Sequence, residues 1–332
     1  MSSKPGFRQS LALFLGLLLP LGITTAEQLT EVQDWLQKMQ RAAHILNYEG
    51  TFVYGQGSQL STMRIIHRAT PRGEQQRLIA MDGSGREVIR NAGKVICILP
   101  DRKAVVVEKS RTPKQFPPAF PIEIDRLAKY YRFTLDGTGK VAGRVTQRID
   151  ITPKDNYRYG HHLWVDRETG LLLKTHLVNE HGKRVEQFVF TEINYLDTIP
   201  DAMLKSGVDD EGFTWYEAKQ DAANDKRSHF EGLQIDWLPG GFMEDMRVSK
   251  KLPDSVMPLK QLIFSDGLAS VSVFIEEEIE HNPANLVGGT RMGAINVHGR
   301  SLGDYHVTVV GEVPHRTVRK ISDSVRYQAS HD

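Results

Sequence analysis

A chain of 332 residues has room for two hydrophobic cores, and its 40% hydrophobic and 25% charged residues are ordinary for a globular protein, which argues against a disordered polymer and against multiple membrane spans. Its 42 basic and 41 acidic residues give a formal net charge of +1 and are interspersed along the chain, so nucleic-acid binding lacks the clustered positive charge that phosphate neutralisation requires. A single cysteine excludes an intrachain disulfide.

The first residues set the compartment. Lys4 and Arg8 precede the apolar run 11–19, and Thr24, Thr25 and Ala26 offer small residues at a cleavage point, which predicts a secretory signal peptide over residues 1–26. The run is short for the hydrocarbon core, with an uncleaved anchor as the alternative. Cleavage after Ala26 removes two basic residues and no acid, leaving 40 basic against 41 acidic residues. No cysteine follows the cleavage region, so no lipoprotein anchor is expected.

Leu29, Val32, Leu36, Met39, Ala43 and Leu46 recur at spacings of three and four and predict a helix, with Thr30 and Gln33 as a capping box at its start. The period then changes to two at 51–54, 63–66, 87–89, 95–99 and 104–107, with Gly55, Gly57, Gly83, Gly85 and Gly93 between the runs. Connections this short make an antiparallel meander. Cys97 stands in one of these apolar runs and reads as a small buried hydrophobe. Prolines at 117, 118 and 121 interrupt the meander, and a short helix with Ile124, Leu127 and Tyr131 on one side follows.

Strands resume at 141–149 and continue through residues 157–177, which read as one hairpin. Leu163 and Val165 share one of its faces, His162 and Trp164 the other, and residues 166–170 supply the turn. A last strand at 185–195 completes the N-terminal domain, 27–197. We expect a strongly curved antiparallel sheet, an open half-barrel with helices on its concave face. The stretch 198–227 is rich in Asp, Glu, Lys, Gly and Ala and reads as a linker. Beyond it, 228–332 reads as a smaller α+β domain with strands at 232–237, 257–264, 269–275, 292–297 and 305–310, then a final helix carrying Val318, Ile321 and Val325 on one face.

The residues offer no catalytic constellation. His161 and His162 point to opposite faces of a strand and cannot jointly hold a metal; a cross-strand pairing with His176 or His181 is the remaining arrangement, and no metal site or cofactor is expected. The glycine-rich stretch 137–143 leads into a strand, whereas a phosphate cradle opens a helix, so it reads as a turn. Ser265, Asp266 and Gly267 read as a turn between strands, and residues 276–278 as a solvated charge run. The chain is not expected to be an enzyme.

Five segments in order, VAGR at 141–144, TPKDNYRYG at 152–160, LWVDRETGLLLK at 163–174, FSDGLASVSVFIE at 264–276 and VTVVGEVP at 307–314, resemble the MucB/RseB family over nearly the whole mature chain. The resemblance implies a periplasmic negative regulator of an envelope-stress sigma factor of the AlgU or sigma-E type. Such a protein binds the periplasmic domain of a membrane anti-sigma factor (MucA/RseA-like), shields it from regulated proteolysis, and is released by lipid or lipopolysaccharide. It also implies an N-terminal domain like the lipoprotein carriers LolA and LolB, and a lipid or lipoprotein carrier is the alternative function. If the concave face is partly uncovered it holds acyl chains, with Phe116, Phe120, Tyr131, Leu163 and Val165 lining the pocket; otherwise these residues complete the core. Exposed edges of an open sheet leave a homodimer open.

Overall fold

The computed structural model describes residues 25–83, 85–91, 93–109, 120, 124–217, 232–250, 259–278 and 286–327. The N-terminal part opens with helix α1 (Thr25–Ile45), followed by β1 (Tyr48–Gln56), β2 (Gln59–Thr70), β3 (Gly73–Ala80), β4 (Glu87–Asn91), β5 (Lys94–Leu99) and β6 (Ala104–Lys109). After α2 (Ile124–Leu127) come β7 (Tyr131–Val141), β8 (Arg144–Pro153), β9 (Gly160–Asp166), β10 (Leu172–Val178) and β11 (Arg184–Tyr195), then α3 (Asp201–Leu204) and β12 (Thr214–Glu217).

These strands form one open, curved twelve-stranded sheet in the order β12-β6-β5-β4-β3-β2-β1-β11-β10-β9-β8-β7. Two meanders, β1 to β6 and β7 to β11, are joined in the middle by antiparallel pairing of β1 with β11, from Tyr48 opposite Tyr195 to Gln56 opposite Glu186. Every neighbour within the meanders is antiparallel, as short connections require. The stretch 198–227 contributes α3 and the edge strand β12, which runs parallel to β6.

Helix α1 lies on the concave face because its apolar positions fall on one side: Val32, Leu36 and Met39 are buried against the sheet. It begins at Thr25, a turn before the predicted capping pair, so Thr30 lies inside it; Ala26, Glu27, Gln28 and Leu29 are good helix formers and extend it backwards. The predicted helix through Tyr131 is also shorter. α2 stops at Leu127, and Tyr131 opens β7 with Phe133 on the same buried face, a period of two that overrides the 3.6 spacing. The stretch 137–141 is strand with a register shift between Leu135 and Thr138, so the turn is confined to Ala142 and Gly143. Both residues have positive φ, 47° and 78°, the two-residue turn whose twist suits a hairpin.

The C-terminal part comprises β13 (Leu233–Ile235), β14 (Met243–Lys250), β15 (Leu259–Ser265), β16 (Ser270–Glu277), β17 (Gly288–Met292), β18 (Ile295–Leu302), β19 (Tyr305–Gly311), α4 (His315–Ser324) and β20 (Val325–Tyr327). Six of these strands make a separate antiparallel sheet, β14-β15-β16-β19-β18-β17, and β13 pairs with β20. Alternate residues of β15, β16 and β19 point inward, and Leu262, Phe264, Val271, Val273, Ile275, Val307 and Val309 pack with Val318 and Ile321 of α4. Pro314 stands at the N-cap of α4, where its missing N–H does no harm.

Candidate functional site

The concave face of the N-terminal sheet carries one large apolar cluster. It joins Val32, Leu36 and Met39 of α1 to Phe120, Ile124, Leu127, Tyr131, Phe133, Ile149, Ile151, Leu163, Val165 and Leu172. Four of the five predicted pocket residues therefore meet in it. Phe120 is 6% exposed, Tyr131 1%, and Leu163 and Val165 0%; Phe116 lies outside the described residues. The four are covered in this arrangement, so an acyl chain reaches them only if α1 or the chain around Phe120 moves. The tip of the β9–β10 hairpin holds α1 in place: Lys38 Nζ donates to the Arg167 carbonyl at 2.5 Å, and Gly170, with φ of 84°, lets the Lys38 backbone approach where a Cβ would collide.

The same hairpin separates its histidines. His161 lies on the concave side with Leu163 and Val165, its ring edge-on to Phe120 at 5.3 Å, and burial pulls its imidazole down to about 4. His162 faces the other side and bonds Asp150 at 2.6 Å. Across the strand His176 stands opposite His162, but burial and then Lys174 and Arg184 lower it to about 4, and it packs edge-on to Trp164 at 4.8 Å. Among the described residues no group of three or more His, Cys, Asp or Glu is arranged to hold a metal ion. Cys97 is half-buried, and burial raises its thiol, with Glu108 adding to the effect.

The loop between β8 and β9, with α2 and the start of β7, meets the C-terminal part of the chain. Arg158, 0% exposed, projects from the loop and pairs with Asp266, 1% exposed, at 2.6 Å. The guanidinium also pairs with Asp155 at 3.0 Å and donates to the Gly240 carbonyl at 2.7 Å. Its carbon sits 5.1, 5.3 and 5.4 Å from the rings of Tyr130, Tyr131 and Phe242, an aromatic cage for a cation. On its other side the loop presents Tyr157, whose carbonyl accepts from Thr317 at 2.8 Å and whose ring meets Trp237 at 4.9 Å.

Asp266 serves two structures at once. Its Oδ1 accepts from the amides of Leu268 and Ala269 at 2.9 and 2.8 Å, which is the turn expected of Ser265, Asp266 and Gly267. Its Oδ2 accepts from both Arg158 and the Tyr131 hydroxyl, the latter at 2.8 Å. Burial and then the Asp266 charge push the Tyr131 hydroxyl well up, so it stays protonated and donates. Sequence reasoning missed Arg158 and Asp266; the signal available was that each stands inside one of the five family-like segments. A second concavity, of about 180 Å³, lies in the C-terminal part between Leu233, Ile235, Leu238, Leu262 and Phe264, with Glu244 and Arg247.

Comparison with known proteins covers both parts. The family model of the MucB/RseB N-terminal domain matches residues 31–208, and that of the MucB/RseB C-terminal domain matches residues 227–326. The chain is 33% identical over 329 residues to the sigma factor AlgU regulatory protein MucB of Pseudomonas aeruginosa, covering 97% of this chain and 98% of that one. It is 27% identical over 325 residues to the sigma-E factor regulatory protein RseB of Haemophilus influenzae, covering 96% and 97%. Among solved structures, a crystal structure of MucB in complex with MucA(peri) superposes with a TM-score of 0.68 at 31% identity, over 90% of this chain and 99% of that one. A Pseudomonas aeruginosa MucA/MucB complex gives 0.69 at 29% identity, over 90% and 100%.

Proposed function

The chain belongs to the MucB/RseB family, and on that premise we propose that it is a periplasmic negative regulator of an envelope-stress sigma factor. It binds the periplasmic domain of a membrane anti-sigma factor across both of its own domains and shields that segment from regulated proteolysis. The observation that carries this reading is the likeness, over 90% of this chain, to a MucB chain crystallised in complex with MucA(peri). Ordering an extended partner segment over a large surface has an entropic cost, which keeps the complex reversible and open to competition.

Release follows from lipid. Acyl chains of a lipid or lipopolysaccharide enter among Phe116, Phe120, Tyr131, Leu163 and Val165, each buried methylene contributing about 0.8 kcal/mol. A ligand that prefers the arrangement without partner weakens partner binding by linkage, about 1.4 kcal/mol for each tenfold loss of affinity. Support comes from the apolar cluster on the concave face and from its proximity to the domain junction.

Incubating the mature protein with the periplasmic domain of its anti-sigma factor and the processing protease is expected to slow cleavage; unchanged cleavage would sink the shielding reading. Adding lipopolysaccharide fragments of graded acyl length is expected to restore cleavage, and failure at every length removes the lipid arm. Transfer of a labelled lipoprotein between membranes without any effect on cleavage would favour the carrier function instead.

A further inference from the structure

One residue belongs to both the candidate acyl site and the domain contact. The Tyr131 ring belongs to the concave cluster, at the end where it neighbours Phe133, while its hydroxyl donates at 2.8 Å to Asp266 of the C-terminal domain. The same carboxylate oxygen takes the Arg158 guanidinium at 2.6 Å, and neither charged side chain is exposed by more than 1%. A buried ion pair adds little net stability over a well-packed apolar contact, but displacing one partner leaves the other charge uncompensated. Such a pair therefore selects one placement of the two domains and tolerates no graded drift.

We propose that Tyr131, Asp266 and Arg158 form a latch by which an acyl chain in the N-terminal cluster frees the C-terminal domain. The inference rests on the lipid-release reading above. Interiors are close-packed, so a chain that runs along the cluster from Leu163 as far as Phe133 takes space that the Tyr131 ring, 6.5 Å from the Phe133 ring, now fills. Moving the ring withdraws its hydroxyl from Asp266, and the carboxylate loses one of the donors that hold it at Arg158. Arg126, which donates to the Asp266 carbonyl at 3.1 Å, follows α2, itself part of the cluster through Ile124 and Leu127. Two of the three donors from the N-terminal side, Tyr131 and Arg126, thus move with the cluster, and Arg158 is left to hold Asp266 alone. The latch is closed in the arrangement that holds the partner across both domains and open when lipid is bound.

The test uses the full mature protein in a Cys97→Ser background, with nitroxide labels at Val145→Cys and Ser301→Cys, exposed positions on the two domains. The probe is a single-chain C14 lysophospholipid below its micellar concentration. Asp266 does not line the cluster, so D266N leaves the acyl site intact while weakening the latch. D266N is expected to bind the probe about fivefold or more tightly than wild type, and to release the anti-sigma domain at a correspondingly lower probe concentration. The interdomain distance distribution of wild type should shift on adding probe, and that of D266N should be shifted beforehand. If D266N does not fold, Y131F keeps the ring in the core, removes only the hydroxyl, and is expected to act in the same direction with a smaller effect. Equal probe affinity in wild type and variants with an unmoved distance distribution would overturn the latch and leave the lipid reading standing. No probe binding to wild type would remove the lipid reading, and the latch with it.

Discussion

The Asn296 side-chain amide donates to the Tyr159 hydroxyl at 2.9 Å and to the Val313 carbonyl at 2.7 Å, a buried bond that ties the β8–β9 loop to β18. Tyr159 also packs with Leu177, Val185 and Ala294. The two domains thus share a buried apolar contact as well as a buried ion pair, and each has a measurable consequence.

Asn296→Leu removes both bonds while leaving the Tyr159 hydroxyl and the Val313 carbonyl buried. An unpaired buried polar group costs about 1–3 kcal/mol, so the unfolding free energy from urea titration is expected to shift down by that amount. A shift within error would mean that water replaces the amide.

Leu163→Ala leaves a hole in the concave cluster, where Leu163 has no exposed surface. Cavity formation at such a site typically lowers stability by about 2–5 kcal/mol. Denaturant titration checks the value, and an effect well under the lower bound would show that α1 settles into the space.

His161→Phe tests the half-buried imidazole. Its ordinary value of 6.5 is lowered to about 4, so between these values the unfolded chain holds a proton that the folded chain does not. Stability therefore falls as pH drops from about 6.5 and stops falling on this account below about 4. The phenylalanine variant should lose this part of the slope; identical slopes from pH 7 to pH 4 would show that the imidazole titrates alike in the folded and unfolded chain.

Asp166→Asn concerns the opposite side of the same hairpin. Burial raises the Asp166 carboxyl, but Arg144 at 2.7 Å, the Tyr195 hydroxyl at 2.8 Å and the Glu168 amide outweigh it and hold the carboxyl below its ordinary 3.8. The stabilisation is complete above that value and is lost as pH falls through the lower folded value. The stability gap between wild type and D166N is thus expected to be constant above about pH 5 and to close only in stronger acid. Thermal unfolding at pH 7, 5 and 2.5 measures it.

Much of this architecture was legible because burial alternates with secondary-structure period. Leu163 and Val165 read as one face of a strand and are one face of β9, and Val318 and Ile321 read as the inner side of the last helix and pack so. Local pattern failed where two periods overlapped. Ile124, Leu127 and Tyr131 fit a helix by spacing, yet only the first two are helical, since Tyr131 and Phe133 gain a buried sheet face. The domain junction was not legible at all. Arg158 and Asp266 are 108 positions apart, and no periodicity says which of many arginines will meet which acid. Asp266 in particular satisfied a turn reading in full with one carboxylate oxygen, and nothing local points to the use of the other.

The pairing of β1 with β11 sets the order in which the N-terminal sheet is completed. Thr191 Oγ1 donates to the Thr51 carbonyl across 140 positions, whereas the other neighbours within each meander are close in sequence. Closing so long a loop has a larger entropic cost than closing a hairpin, and folding slows as contacts become non-local. Each meander is thus able to form early, with the edges of β1 and β11 open to other chains until they meet. A chain delivered N-terminus first carries the first half of its sheet for the whole time needed to deliver the second, which makes this central seam the step most exposed to aggregation.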